Sequence, residues 1–172
     1  MGRDKNFVPV EGEALLSRVC RRCAAFAPVW VVARAGQDLP AIGAAQRVED
    51  EVREDGIAGP LLGIASGLAA LERAGVEEAV VVGCDDVAVD ASALRARLAA
   101  LRSDDASIGA CLHADGFVQP LSSAVRVRPA LALARELLDR GEARASSWAR
   151  DFVRIDDPAA GRVWDLDTPQ QL

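Results

Sequence analysis

Tyrosine does not occur in this 172-residue sequence, and histidine, lysine, asparagine and methionine occur once each, as His113, Lys5, Asn6 and Met1. Aromatic residues make up only 4%. A single histidine excludes a multi-histidine metal site, and no motif places a serine or cysteine as its partner, so His113 reads as a structural or surface residue. Neither a GxxxxGK[ST] phosphate loop nor a GxGxxG fingerprint occurs, which argues against the commonest phosphate- and dinucleotide-binding motifs. No apolar run approaches the ~18 residues that a membrane-spanning helix needs, and the first residues lack the pattern of a signal peptide. The expected compartment is therefore the cytoplasm. Acidic residues (26) outnumber basic ones (20), for a net charge of −6. That balance disfavours binding to nucleic acid by phosphate neutralisation.

What is present is an alanine- and arginine-rich chain, 51% apolar and 27% charged. These proportions fit one globular domain spanning 1–172, long enough for a sizeable core. Nineteen of the 20 basic residues are arginine. A residue type that the compositional bias nearly eliminates carries information where it survives, which singles out Lys5.

Four cysteines are present: Cys20, Cys23, Cys84 and Cys111. Cys20 and Cys23 have CxxC spacing, which suits zinc or redox chemistry. They also fall in the pattern Leu15, Leu16, Val19, Cys20, Cys23, Phe26, one apolar face in the middle of a helix. A redox pair normally opens a helix, so buried thiols are the expected reading.

Periodicity predicts helices over 13–27, 60–73, 92–101 and 129–140, with a weak one near 40–45. The helix from Pro60 stops at Gly75 and the last at Gly141, and Asp90 or Ser92 caps the third. Strands are predicted at 29–32, 47–50, 79–83, 106–113 and 117–127, the last two joined at Asp115-Gly116. Short elements at 152–155 and 163–166 close the chain, and 51–58 reads as an exposed loop. Continuous apolar strands between helices predict an α/β domain with a mostly parallel sheet. Ligands in such sheets bind at the carboxyl ends of strands.

Four segments carry candidate chemistry. Gly83-Cys84-Asp85-Asp86 follows the strand AVVVG and puts carboxylates at its carboxyl end, where they either hold Mg²⁺ or serve as turn and cap residues. Gly59-Pro60-Leu61-Leu62-Gly63 through Gly67 carries glycines every fourth residue, which allow close approach of a ligand or of a packed strand. Met1-Gly2-Arg3-Asp4-Lys5 offers an ammonium suited to phosphate oxygens. Asp165-Leu166-Asp167-Thr168-Pro169 reads as the start of a terminal helix, with Asp167 as its cap.

In this order, the segments MGRDK, FVPVEGEALLSRV, VED, GPLLGIASGL, VVVGCDD, VQPLSSAVRV and LDTPQQL resemble the molybdenum cofactor guanylyltransferase family, nucleotidyltransferases that attach GMP to molybdopterin. The resemblance spans almost the whole chain. It implies a three-layer Rossmann-like nucleotide-diphospho-sugar transferase fold, GTP as donor, molybdopterin as acceptor, pyrophosphate release and Mg²⁺ as cofactor. Lys5 would contact nucleotide phosphates and Asp85 would bind Mg²⁺ and nucleotide. Asp50 would contact guanine, with Asp55 as the alternative, and Gly59, Pro60, Leu61 and Gly63 would line the nucleotide pocket. Asp167 would be a second metal ligand.

The departures are specific. The family's opening strand and LAGGxSxR-like loop, which precede MGxDK, are not in this sequence. The resemblance thus implies either a start placed at an internal methionine or a degenerate copy that binds without turnover. Val87 stands where proline usually follows CDx, Ala33 and Arg34 where an asparagine is expected, and Asp167 where the family has NTP. A cytidylyltransferase of the same fold is the competing enzymatic reading.

Overall fold

The computed structural model describes residues 5–86, 89–114 and 116–156. The predicted element at 163–166, the terminal-helix reading and Asp167 lie outside the described residues, as do Met1–Asp4, Val87 and the turn residue Asp115.

A 3-10 turn at Lys5–Phe7 leads into a small antiparallel pair, β1 (Pro9–Val10) and β2 (Glu13–Ala14). Glu11 and Gly12 turn between them with φ 51° and 83°. Helix α1 (Leu15–Ala24) follows, shorter than predicted because Glu13 and Ala14 are spent on β2. Its apolar face buries Leu15, Leu16, Val19 and Cys20, as the spacing requires. Strands β3 (Trp30–Ala33) and β4 (Gln46–Glu49) pair in parallel. The weak helix predicted near 40–45 does not form. Leu39, Ile42 and Ala45 repeat at helical spacing, but they dock from a loop onto the Leu16–Cys20–Val31 cluster, and Gly43 has φ 61°.

Helix α2 (Pro60–Arg73) starts at its N-terminal proline, and Gly75 turns away from its end at φ 73°. Strand β5 (Glu78–Val82) follows, then α3 (Ala91–Arg102). Asp90 caps α3, its carboxylate accepting from the Ala93 N–H at 2.8 Å. β6 (Gly109–Ala114) and β7 (Phe117–Arg126) form the predicted hairpin. α4 (Val127–Asp139), the short α5 (Ala145–Trp148) and β8 (Val153–Asp156) complete the described chain.

The four-stranded sheet has the order β5-β7-β6-β8. β7 is antiparallel to both β5 and β6, while β8 is parallel to β6. The mostly parallel sheet predicted from the apolar runs is therefore a mixed one. A strand buried on both faces reads the same whichever way its neighbour runs, and Ser122–Val125 of β7 is such a segment. Helices cover both faces. Ala79, Val81, Cys111 and Val125 meet α2, α4 and α5 in the main core. Val80, Ala110, Ala124 and Ile155 meet α3 on the other side, and α1 joins α3 there through Val19 and Leu94. Trp148 is 1% exposed, and its indole N–H donates to the Ala130 carbonyl at 3.0 Å.

Candidate active site

Strands β3 and β5 both border a cavity of about 1130 Å³, walled also by α1 and the start of α2. Among the described residues, β3 is hydrogen-bonded only to β4, and β5 only to β7. The carboxyl ends of both strands open onto this space, where an α/β sheet is expected to bind its ligand.

At the end of β5, the ladder continues for one bond, from the Gly83 N–H to the Leu121 carbonyl at 2.9 Å. The chain then turns, with the Asp86 N–H donating to the Gly83 carbonyl at 3.2 Å. This turn lifts Asp85 out of the sheet and folds its carboxylate back over Gly83. A Cβ on Gly83 would lie 2.7 Å from Asp85 Oδ1, so the glycine makes the room that the carboxylate occupies. Lys5 reaches the same point from the N-terminal turn, its Nζ 3.7 Å from Asp85 Oδ2. The structure thus brings together the one lysine and the strand-end aspartate, 80 positions apart in the chain. Their neighbours Asn6, Gly83 and Cys84 line the cavity.

Asp86 points elsewhere. Its Oδ2 lies 3.3 Å from Arg97 on α3, with side chains only 10% and 8% exposed. This buried pair ties the turn carrying Asp85 to a helix. The Asp90 carboxylate is held by its capping bond. Of the three aspartates near the end of β5, Asp85 is the one paired with Lys5; neither residue of that pair is among those lining the cavity.

Asp50 follows β4, its N–H donating to the Ala33 carbonyl at 2.8 Å. Asp50 is among the residues that line the cavity. Ser66 Oγ lies 2.8 Å from Asp50 Oδ1, and a Cβ on Gly63 would lie 3.7 Å from Oδ2. Asp55, the alternative base contact, is committed to Arg53 at 2.7 Å and to the Ile57 N–H at 3.0 Å. The Arg53 guanidinium holds the Asp55 carboxyl below its ordinary range.

Gly59, Pro60 and Gly63 line the cavity. Gly59 has φ 154°, and a Cβ there would meet the Ala143 carbonyl oxygen at 2.9 Å. Gly67 would bring a Cβ to 3.0 Å from Val32, so this part of the glycine stripe lets α2 lie close on β3. Leu61 corrects the expectation of a pocket-lining residue. It is fully buried in the main core, on the opposite side of α2 from Gly63, because helical spacing turns it inward.

Sequence reasoning missed two residues. Ser66 and Arg97 are 2% and 7% exposed, and each holds an aspartate next to the candidate chemistry. A serine among apolar residues at a core-facing helical position is a signal for Ser66, since a buried hydroxyl needs a partner.

None of the four cysteines forms a disulfide; Cys20 and Cys111 are buried, as expected, while Cys23 and Cys84 are half-buried. Burial raises Cys20, pushes Cys23 up to about 11 and Cys111 up to about 12. Among the described residues, no group of three or more His, Cys, Asp or Glu side chains forms a metal cage. The donor set at Asp85 fits Mg²⁺, which takes one or two protein carboxylates and completes its shell with water and phosphate oxygens.

The chain resembles known proteins over nearly all its length. Residues 1–155 match the MobA-like NTP transferase domain. A probable molybdenum cofactor guanylyltransferase from Opitutus terrae is 35% identical over 156 residues, which span 90% of this chain and 73% of that protein. The crystal structure of molybdopterin-guanine dinucleotide biosynthesis protein A from Archaeoglobus fulgidus superposes with TM-score 0.77 at 16% identity, covering 99% of this chain and 87% of that one. The 2-C-methyl-D-erythritol 4-phosphate cytidylyltransferase from Thermus thermophilus gives TM-score 0.68 at 15% identity, covering 97% and 89%. The two crystal structures share the α/β fold. With its site at the ends of two strands and its match over 155 residues, the chain belongs to the MobA-like NTP transferase family and is a nucleotidyltransferase.

Proposed function

We propose that this nucleotidyltransferase moves GMP from GTP to molybdopterin and releases pyrophosphate, with Mg²⁺ as cofactor. The observation that carries the reading is the division of the site: a Lys5–Asp85 pair at the end of β5, and a cavity-lining Asp50 beside Gly63 at the end of β4. The first is suited to phosphates and metal, the second to a base with N–H donors. The 35% identity to a probable guanylyltransferase supports GTP over CTP, since the cytidylyltransferase shares the fold at only 15% identity.

Nucleotidyl transfer needs positioning and charge neutralisation more than covalent help. A terminal phosphate oxygen of the acceptor attacks the α-phosphorus of GTP, and the bond to the β-phosphate oxygen breaks. Asp50 accepts hydrogen bonds from guanine and orients the nucleotide. Gly59 and Gly63 line the nucleotide pocket, and Gly63, beside Asp50, permits close approach of the nucleotide to α2. Lys5 offsets charge on the phosphates, which an acidic protein can do locally whatever its net charge. Asp85 would hold the divalent ion, which when bound withdraws charge from the phosphate oxygens. The proposed compartment is the cytoplasm; no helix among the described residues is long and apolar enough to cross a membrane.

The test of the reaction is pyrophosphate release with each of the four nucleotides, in the presence of Mg²⁺ and molybdopterin. Release confined to GTP supports the proposal. Release with CTP instead favours the cytidylyltransferase reading, and binding without release favours a non-catalytic module.

A further inference from the structure

We infer that Ser66 is a specificity-positioning residue: it holds Asp50 in the orientation that distinguishes guanine from other bases. The inference rests on the reading of Asp50 as the base contact.

Ser66 lies on α2 and is 2% exposed. It does not line the cavity, so it acts only through what it touches. Its Oγ accepts from the Glu51 N–H at 3.0 Å. It lies 2.8 Å from Asp50 Oδ1 and 3.0 Å from the Leu62 carbonyl. A hydroxyl has one proton, and a carboxylate is the stronger acceptor, so the proton goes to Asp50. Ser66 therefore clamps both ends of the Asp50–Glu51 step, one backbone N–H and one side-chain oxygen.

The consequence is an asymmetric carboxylate. Oδ1 is engaged from the α2 side. Oδ2 faces Gly63, whose missing side chain leaves space beside it. A fixed carboxylate, with Oδ2 clear of Ser66 and Oδ1 keeping a second lone pair, suits a base edge with two adjacent N–H donors. Guanine has two, the N1–H and the 2-amino group. Adenine and cytosine have no ring N–H on that edge, and hypoxanthine keeps the N1–H but lacks the 2-amino group. Without the Ser66 bond, Asp50 can rotate, and the discrimination it provides weakens while the phosphate contacts stay intact.

The test is equilibrium binding of GTP and ITP, each with Mg²⁺, to the wild-type chain and to Ser66→Ala, Ser66→Thr and Asp50→Asn. The wild type is expected to prefer GTP. Ser66→Ala should cut that preference roughly tenfold, the scale of one hydrogen bond, with ITP affinity little changed. Ser66→Thr, which keeps the hydroxyl, should retain it. If Ser66→Ala loses its cooperative melt, Ser66→Cys, of similar size and weaker as a donor, is judged by the same ratio. An unchanged GTP/ITP ratio in the Ser66 variant, with the ratio abolished in Asp50→Asn, overturns the role of Ser66 and leaves the guanine reading standing. No preference in the wild type, or a full preference in Asp50→Asn, overturns the guanine reading and this inference with it.

Discussion

Lys5 Nζ stands 3.7 Å from Asp85 Oδ2, with side chains 47% and 32% exposed. At that separation and exposure the pair contributes little to folding, about 0–1 kcal/mol. Its placement at a strand end suits catalysis better than stability. Lys5→Ala and Asp85→Ala are each predicted to lower kcat by roughly 10²–10³ while leaving the melting temperature nearly unchanged. Kinetics and thermal melts on the same samples separate the two effects.

Asp86 makes the opposite prediction, although it is the adjacent residue. Its partner Arg97 is buried with it, and among the described residues Arg97 Nη1 has no hydrogen-bond partner of its own. Removing one member of a buried pair leaves the other charge desolvated and costs roughly 3–5 kcal/mol. Arg97→Ala should therefore unfold at markedly lower denaturant. The double change of Asp86 and Arg97 to leucine should recover a large part of the loss.

The thiols predict an alkaline limit to stability. Burial pushes Cys23 up to about 11 and Cys111 up to about 12, against an ordinary value of 9.0. Between these values the unfolded chain loses thiol protons that the folded chain keeps. Stability is thus fully present below about pH 9 and declines as pH rises toward 11–12. Melts at pH 8 and pH 10.5 should show a drop that Cys111→Ala reduces. The buried thiols of Cys20 and Cys111 should also resist alkylation at pH 8 until denaturant is added.

Gly59 carries a conformational prediction. Its φ of 154° disfavours any side chain, and an added Cβ would press on the Ala143 carbonyl oxygen at 2.9 Å. That carbonyl also accepts the Leu61 N–H at 3.2 Å, which anchors the first turn of α2. Gly59→Ala is predicted to displace this turn, raising KM for the nucleotide and lowering stability by roughly 1–3 kcal/mol. Nucleotide titration and denaturant melts check both.

Helices were legible where an apolar face and a punctuating residue agreed, as at Pro60 and Gly75, or at the Asp90 cap. Strand pairing was not, because no local pattern says that β7 lies between β5 and β6. The loop at 39–45 failed for a related reason: Leu39, Ile42 and Ala45 have helical spacing but owe their burial to α1 and β3. Within the site, Lys5 and Asp85 were legible from composition and motif order, and their contact was not. Ser66 and Arg97 went unread because each acts through an aspartate rather than through a motif. Leu61 shows the converse, a motif residue that belongs to the core.

The transfer itself is the most direct measurement. GTP labelled at the α-phosphate is incubated with molybdopterin, Mg²⁺ and the enzyme, either unmodified or as Asp85→Ala. Label is expected to enter the molybdopterin product with stoichiometric pyrophosphate, and Asp85→Ala is expected to slow that transfer by roughly 10²–10³. Label left in GTP or released as free GMP by the unmodified enzyme, or full transfer by Asp85→Ala, would contradict this account.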